Sequence, residues 1–162
     1  MTEWLIEEVT TENIRLLNHF LKQNGEQSAN RGDLNFWLKE HGKTIAVARL
    51  IPAAGETSPS FWLRGLFVVE AHRKQGLGHQ FMLQIHAHLK QKFQITQTKT
   101  EQACLFAIYA FPHGHLKPFY SPLGYQIIEP EDLPESLRKR YQQAKNANKD
   151  WLCMSYSVYK VK

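Results

Sequence analysis

Runs of apolar residues alternate along the chain with segments that are apolar only at every third or fourth position. The runs predict strands over residues 4–9, 34–40, 44–51, 61–69, 103–111, 125–128 and 151–159. Helical spacing appears at Ile14 to Leu21, at Leu77 to Lys90 and around Leu137. The order of elements predicts a mixed α/β domain.

Turn and cap residues mark the ends of these elements. Thr10 and Thr11 offer a hydroxyl N-cap to the first helix, and Gly25 ends its pattern. Pro134 suits the first turn of the last helix. Residues 26–33 predict a loop or a weak second helix, 52–60 a loop, 94–102 a polar linker, and 116–123 one or two helical turns. The run 103–111 is typical of a strand covered on both faces.

Length and composition bound the domain count. The chain has 162 residues, and 43% of them are hydrophobic, which is enough for a sizeable core and excludes wholesale disorder. Two independent cores are not expected at this length, so residues 1–162 predict one domain. The fold class expected is α/β, a mixed and largely antiparallel sheet flanked by helices.

The charge and the cysteine content limit the kinds of partner and the cellular compartment that are expected. Twenty Lys and Arg against fifteen Asp and Glu give a formal charge of +5, which suits an anionic partner without choosing its kind. No apolar run is long enough to cross a membrane, and residues 1–4 show no secretory signal. Cys104 and Cys153 lie in apolar runs, which predicts reduced, buried thiols in a cytoplasmic protein.

The most informative segment is a strand that passes through a glycine-containing loop directly into a helix. Arg73, Gly76 and Gly78 lie between the strand and the helix. Free amides at a helix N-terminus attract phosphate oxygens, and glycines let an anion approach the backbone. A tight turn with a solvated basic pair is the alternative. A dinucleotide fingerprint needs glycine where the chain has Phe81, and the Lys-Ser/Thr end of a P-loop is absent.

Arg73-x-x-Gly76-x-Gly78 resembles the acyl-CoA motif of GNAT-type N-acetyltransferases. Downstream, Phe119-Tyr120-Ser121-Pro122-Leu123-Gly124-Tyr125 is similar to the aromatic–Tyr–x–x–x–Gly–aromatic segment of that family. The order of predicted elements agrees over nearly the whole chain. The resemblance implies the GNAT fold and the transfer of an acetyl group from acetyl-CoA to a primary amine by direct attack in a ternary complex.

The resemblance also implies roles for individual residues. Main-chain groups of Leu66, Phe67 and Val68 pair with the pantetheine arm. Amides of the cradle bind the pyrophosphate, and its residues are Arg73, Lys74, Gln75, Gly76, Leu77, Gly78 and His79. Tyr120 protonates the departing thiolate. The alternative is that Tyr120 has no catalytic role and only packs a helix against the sheet.

The chain departs from the family pattern at two positions before Tyr120. His113 stands where the family often has Asn, and Leu116 where it has a small residue. His113 offers a hydrogen bond in place of the Asn contact. No general base is assigned, and four side chains stay open for that role: Asp33, Glu70, His72 and His115.

Other function classes receive less support. The eight histidines have no partners at metal-ligand spacing, so no metal is expected. Arg138–Arg140 is read as a solvated helix face, and a nucleic-acid partner is not favoured because no aromatic residues interleave a basic stripe. A non-catalytic module that binds CoA or nucleic acid is the alternative, and Tyr120 separates it from an enzyme. The acceptor and the oligomeric state, including a homodimer, stay open.

Overall fold

The computed structural model describes residues 4–96 and 104–159. These residues form seven strands: β1 (Trp4–Glu8), β2 (Leu34–Glu40), β3 (Lys43–Pro52), β4 (Ser60–Val68), β5 (Cys104–Ala110), β6 (Gln126–Ile127) and β7 (Met154–Tyr159). Their helices are α1 (Ile14–Gln23), α2 (Leu77–Thr96), α3 (Lys117–Tyr120) and α4 (Glu135–Asn146). Short 3₁₀ turns cover Thr11–Asn13, Glu70–His72, Gly114–Leu116, Ser121–Leu123 and Pro130–Asp132.

The strands form a mostly antiparallel sheet in the order β1-β2-β3-β4-β5-β7-β6. The pairs β1–β2, β2–β3, β5–β7 and β6–β7 are antiparallel, and β4–β5 is parallel. The residues of β5 are mostly buried, in agreement with its nearly continuous apolar sequence. The predicted fold class, a largely antiparallel α/β sheet with flanking helices, is confirmed.

The chain divides into two compact units, and the first comprises residues up to 51 together with 64–86. Its α1 buries Leu17 and Leu21 against Trp37 and Val47 of β2 and β3. The helical spacing of these leucines places them on one stripe of α1. Full burial of one leucine contributes roughly 1.5–3 kcal/mol, so the stripe holds α1 on the sheet.

The second unit comprises residues 52–63 and those from 87 onwards. Aromatic side chains dominate its core. Phe93 lies between Phe61 and Phe106, with ring centroids 5.9 and 5.5 Å away. Phe111 contacts Trp62 at 5.6 Å and stacks on Trp151 at 5.8 Å. These rings fix β4, β5 and the end of α2 to one another within this unit.

The helices depart from the sequence prediction at their ends. The helix α2 runs to Thr96, into the stretch predicted as a linker, because Phe93 is drawn into the aromatic core. The rest of that stretch, 97–102, lies outside the described residues. The Thr10 hydroxyl makes no cap; its carbonyl instead accepts the Asn13 amide in a 3₁₀ turn. Pro134 has an extended ψ of 144° and precedes α4 instead of opening it.

Three further predictions are corrected in the second unit. Residues 151–159 do not form a continuous strand, since β7 begins at Met154 and Trp151 makes an isolated bridge with His113. The strand predicted at 125–128 shortens to Gln126–Ile127. Cys153 is buried as expected, but Cys104, the first residue of β5, is only half-buried; both are free thiols.

Candidate cofactor and active site

A bend in β4 precedes the backbone that is predicted to bind pantetheine. Gly65 has a φ of +77° in the middle of the strand, a left-handed conformation that glycine adopts without strain. A side chain there would also collide, because its Cβ would lie 2.7 Å from Nε of Arg49. A glycine inside a strand often marks a bulge. Residues Leu66 to Val68 follow this bend and are half-buried.

Only the first part of β4 pairs with its parallel neighbour β5, and the rest of the strand extends beyond this pairing. Pairing with β5 joins Ser60, Phe61 and Trp62 to residues 107–109. Within the described residues the parallel register extends no further, although β4 continues to Val68. Main-chain N–H and C=O groups on such an unpaired edge accept an added extended ligand.

The loop after β4 is anchored to the strand by Arg73. Its Nε donates to the Val68 carbonyl at 2.7 Å, and its guanidinium lies 5.4 Å from the Phe67 ring centroid. Phe67 in turn packs edge-on against Phe20 at 6.1 Å. Arg73 therefore fixes the start of the loop and covers part of the strand on which the pantetheine contacts are predicted.

The cradle loop turns sharply before α2. Lys74 and Gly76 both have left-handed backbones, with φ of 64° and 74°. A Cβ at Gly76 would meet no atom within 4 Å, so the space beside this glycine is open. The helix α2 begins at Leu77, and its first amides have no partner within the helix. Open space, free amides and exposed Arg73 and Lys74 fit a phosphate group.

A short polar network holds the 3₁₀ turn that leads into the cradle. Oε2 of Glu40 accepts a hydrogen bond from Nε1 of Trp4 at 3.0 Å and lies 3.1 Å from Nε2 of His72. The Val69 amide donates to Ile45 at 2.9 Å. Glu40 thus connects β1 and the end of β2 to the residue that precedes Arg73.

Tyr120 ends α3 and is buried, with 9% of its surface exposed. Its ring lies edge-on against Phe119 at 5.0 Å and Tyr125 at 5.3 Å. Burial raises the pKa of Tyr120 to about 12, because the charged phenolate is poorly solvated there. Its hydroxyl keeps its proton at neutral pH, and no described residue hydrogen-bonds it.

Gly124 explains the glycine in the aromatic segment. It ends the 3₁₀ turn after α3 with a φ of +100°. A Cβ there would lie 3.1 Å from the Tyr156 ring. Only glycine therefore lets the chain reverse this closely after Tyr120 and return to β6.

His113 lies on the surface at the start of the 3₁₀ turn before α3. Its backbone bridges to Trp151, and its ring stacks on His115 at 6.0 Å. The next amide, that of Gly114, donates to the Asp150 carbonyl at 3.1 Å. The predicted pantetheine and cradle residues all lie in the first unit. His113 and Tyr120 lie in the second.

The candidates for a general base occupy different surroundings. Glu70 and His115 are exposed. His72 lies against Glu40, and Oδ2 of Asp33 accepts the Asn30 amide at 3.2 Å. Across residues 4–96 and 104–159, no group of three or more metal-binding side chains comes together. None of the helices in the same ranges has the length and apolarity needed to cross a membrane.

Three residues around the site were missed in the sequence reading: Gly65, Arg49 and Glu40. Gly65 carried a usable signal, since an isolated glycine within a strand pattern suggests a bulge. Arg49 and Glu40 gave no such signal. Their importance comes from contacts with residues that are 16 and 32 positions away in the chain.

The sequence matches the family model of the acetyltransferase (GNAT) domain over residues 32–127, which is more than half of its length. The chain belongs to the GNAT acetyltransferase family. Its matched region includes the bent strand, the cradle, α2 and the segment around Tyr120. Comparison with curated proteins finds no sequence match.

Solved structures share the fold at low sequence identity. N-acetylglutamate synthase from Neisseria gonorrhoeae, complexed with coenzyme A and N-acetyl-glutamate, is 13% identical with a TM-score of 0.62; the match covers 99% of this chain but 36% of that one. Ribosomal-protein-S18-alanine N-acetyltransferase from Escherichia coli is 14% identical, with a TM-score of 0.61 and coverage of 99% and 97%. Arabidopsis thaliana Naa50, with the bisubstrate analogue CoA-Ac-MVNAL, is 12% identical, with a TM-score of 0.61 and coverage of 96% and 99%.

Proposed function

We propose that the protein is an acetyl-CoA-dependent N-acetyltransferase that acetylates a primary amine by direct attack in a ternary complex. The observation that carries the proposal is the turn from Lys74 to Gly76, which opens onto the first amides of a long helix. It occurs in a chain of the GNAT family, whose structural neighbours include proteins solved with CoA or a CoA-derived analogue.

The cradle binds and orients the cofactor. Amides from Arg73 to His79 hold the pyrophosphate, and the open space beside Gly76 admits its oxygens. Main-chain groups of Leu66 to Val68 align the pantetheine arm as an added strand would. His113 is exposed and donates a further hydrogen bond. Acetyl-CoA supplies the activated acetyl group as a thioester.

Tyr120 acts as the acid. The neutral amine forms a bond to the carbonyl carbon, and the carbon–sulfur bond breaks. The thiolate takes the Tyr120 proton, and the proton that the acetylated nitrogen loses returns to the Tyr120 oxygen, directly or through water. A pKa of about 12 keeps that proton in place throughout the neutral range. Because burial disfavours the phenolate that donation leaves behind, the return of a proton to Tyr120 belongs to the same turnover. The base that removes the ammonium proton is not assigned.

The test is a screen for CoA release from acetyl-CoA with a panel of amines: amino acids, peptides and polyamines. We expect at least one amine to be acetylated, with the mass of the product increased by one acetyl group. Acetyl-CoA binding without transfer to any amine would favour the alternative of a non-catalytic CoA-binding module. Absence of both binding and transfer contradicts the proposal.

A further inference from the structure

A buried arginine lies beside the bend in β4. Arg49 extends from β3, is 6% exposed and donates from Nη1 to the Ser28 carbonyl at 2.9 Å. Its Nε is buried and has no hydrogen-bond partner. Among the described residues, no carboxylate forms an ion pair with it. A buried guanidinium without a carboxylate partner lowers the stability of the fold. We therefore expect an anion to pair with Arg49.

A second arginine adds positive charge at the same place. Burial and then the charge of Arg64 lower the pKa of Arg49. Nη2 of Arg64 donates to Oε1 of Gln27 at 3.1 Å, next to the Ser28 carbonyl that Arg49 binds. The segment after α1 and the bend in β4 therefore bring two guanidinium groups together, both in the first unit.

The surroundings also contain an unpaired acceptor and more distant acids. Asn35 is directly opposite Arg49 in the β2–β3 register, and its buried Oδ1 has no partner. The charges of Asp33 and Glu26 raise the pKa of Arg49, although they do not outweigh the lowering. These two carboxylates offset part of the positive charge of Arg49 and Arg64, which favours a singly charged carboxylate over a phosphate dianion as the bound anion.

The position of this group relates it to the cofactor strand. Arg49 lies against the backbone of Gly65, where an added Cβ would also be 2.7 Å from its Nη2. Gly65 directly precedes Leu66, the first of the residues proposed to align pantetheine. An anion held by the two arginines would be next to the strand on which the acetyl donor is proposed to lie.

We propose that Arg49 and Arg64 bind the carboxylate of an acceptor that carries both an amine and a carboxylate, such as a free amino acid. This rests on the proposed acetyltransferase function. A guanidinium forms charge-assisted hydrogen bonds with a carboxylate, so these residues would position the acceptor and determine its specificity. They take no part in bond making.

The experiment compares L-amino acids with their C-terminal amides, which keep the amine and lose the negative charge. For each accepted pair we expect kcat/KM to be about tenfold to a hundredfold higher for the acid, the range set by a hydrogen bond to a charged group. Arg64→Met should bring the ratio close to one by raising KM for the acid while kcat stays within a few-fold. Arg15→Met, which removes an exposed arginine from α1, should keep the parent ratio.

Arg49→Lys serves as the second variant, because removal of the buried side chain endangers folding. It should also reduce the ratio while CoA binding persists. Equal turnover of acids and amides overturns the inference and leaves the acetyltransferase proposal standing. Preference for an aminoalkyl phosphate over every amino acid also overturns it. If no amine is acetylated, the melting temperature with CoA decides: an increase with acids but not amides supports the inference, and no increase with any acid refutes it.

Discussion

Replacement of Gly76 by alanine tests the cradle, and the chain offers a matched control. Gly76 and Gly55 both have left-handed backbones, with φ of +74° and +85°, and a Cβ at either position would meet no atom within 4 Å. Alanine at either site therefore introduces backbone strain of about 1–2 kcal/mol without a steric collision. Only Gly76 lies in the loop that is proposed to hold pyrophosphate.

The two variants should lose similar stability and differ in acetyl-CoA affinity. Each should melt a few degrees lower, since 1 kcal/mol shifts the melting temperature by about 2–4 °C in a domain of this size. The methyl group at position 76 occupies the space of a phosphate oxygen and removes a charge-assisted hydrogen bond, worth about 1.5–3 kcal/mol. The dissociation constant for acetyl-CoA should rise at least tenfold, against less than twofold for Gly55→Ala.

Calorimetric titration with acetyl-CoA and chemical denaturation of the same preparations provide both quantities. If Gly76→Ala binds acetyl-CoA as tightly as Gly55→Ala does, the cradle does not hold the cofactor. If Gly76→Ala loses far more stability than its control, then the space beside Gly76 is not open, and the loss of affinity would carry no information about the cradle.

Three further outcomes follow from burial and backbone geometry. Gly65→Ala should lower the free energy of unfolding by about 2–4 kcal/mol, measured by denaturation, which is more than Gly55→Ala should lose. Both variants strain the backbone, but the Cβ at position 65 also collides with Arg49. Equal losses in the two variants would contradict this. A thiol reagent should modify Cys104 faster than Cys153, because burial raises the pKa of the Cys153 thiol to about 12; labelling followed by mass spectrometry gives the order. Between about pH 10 and 12 an unfolded tyrosine loses its proton while folded Tyr120 keeps it, so stability falls as pH rises, and Tyr120→Phe should make that fall less steep.

Local patterns in the sequence were sufficient to predict most of the strands and the main helices, although not the order of the strands in the sheet. The spacing of Leu17 and Leu21 placed α1, and the two glycines with Arg73 located the loop before α2, since these signals depend on neighbours a few residues away. The end of α2 was missed because Phe93 is ordered by Phe61 and Phe106, which are distant in sequence.

The polar contacts around the site could not be predicted from one sequence. The proximity of Glu40 to His72 depends on where β2 ends relative to the loop after β4. The contact of Arg49 with Gly65 likewise depends on the register of β3 and on the bend in β4. Sequence reasoning considered His72 as an isolated candidate base; the structure gives its Nε2 a carboxylate partner.

Steady-state turnover of Tyr120→Phe tests the central claim of acid catalysis most directly. The variant keeps the ring against Phe119 and Tyr125 and removes only the hydroxyl. Tyr125→Phe is the control, since it removes a hydroxyl from the same buried cluster and has no proposed role in catalysis. With any accepted amine, we predict that kcat of Tyr120→Phe falls by roughly 10²- to 10⁴-fold while acetyl-CoA binding is nearly unchanged. Tyr125→Phe should stay within a few-fold of the parent. A Tyr120→Phe enzyme that turns over like the parent would show that this tyrosine only packs α3 in place.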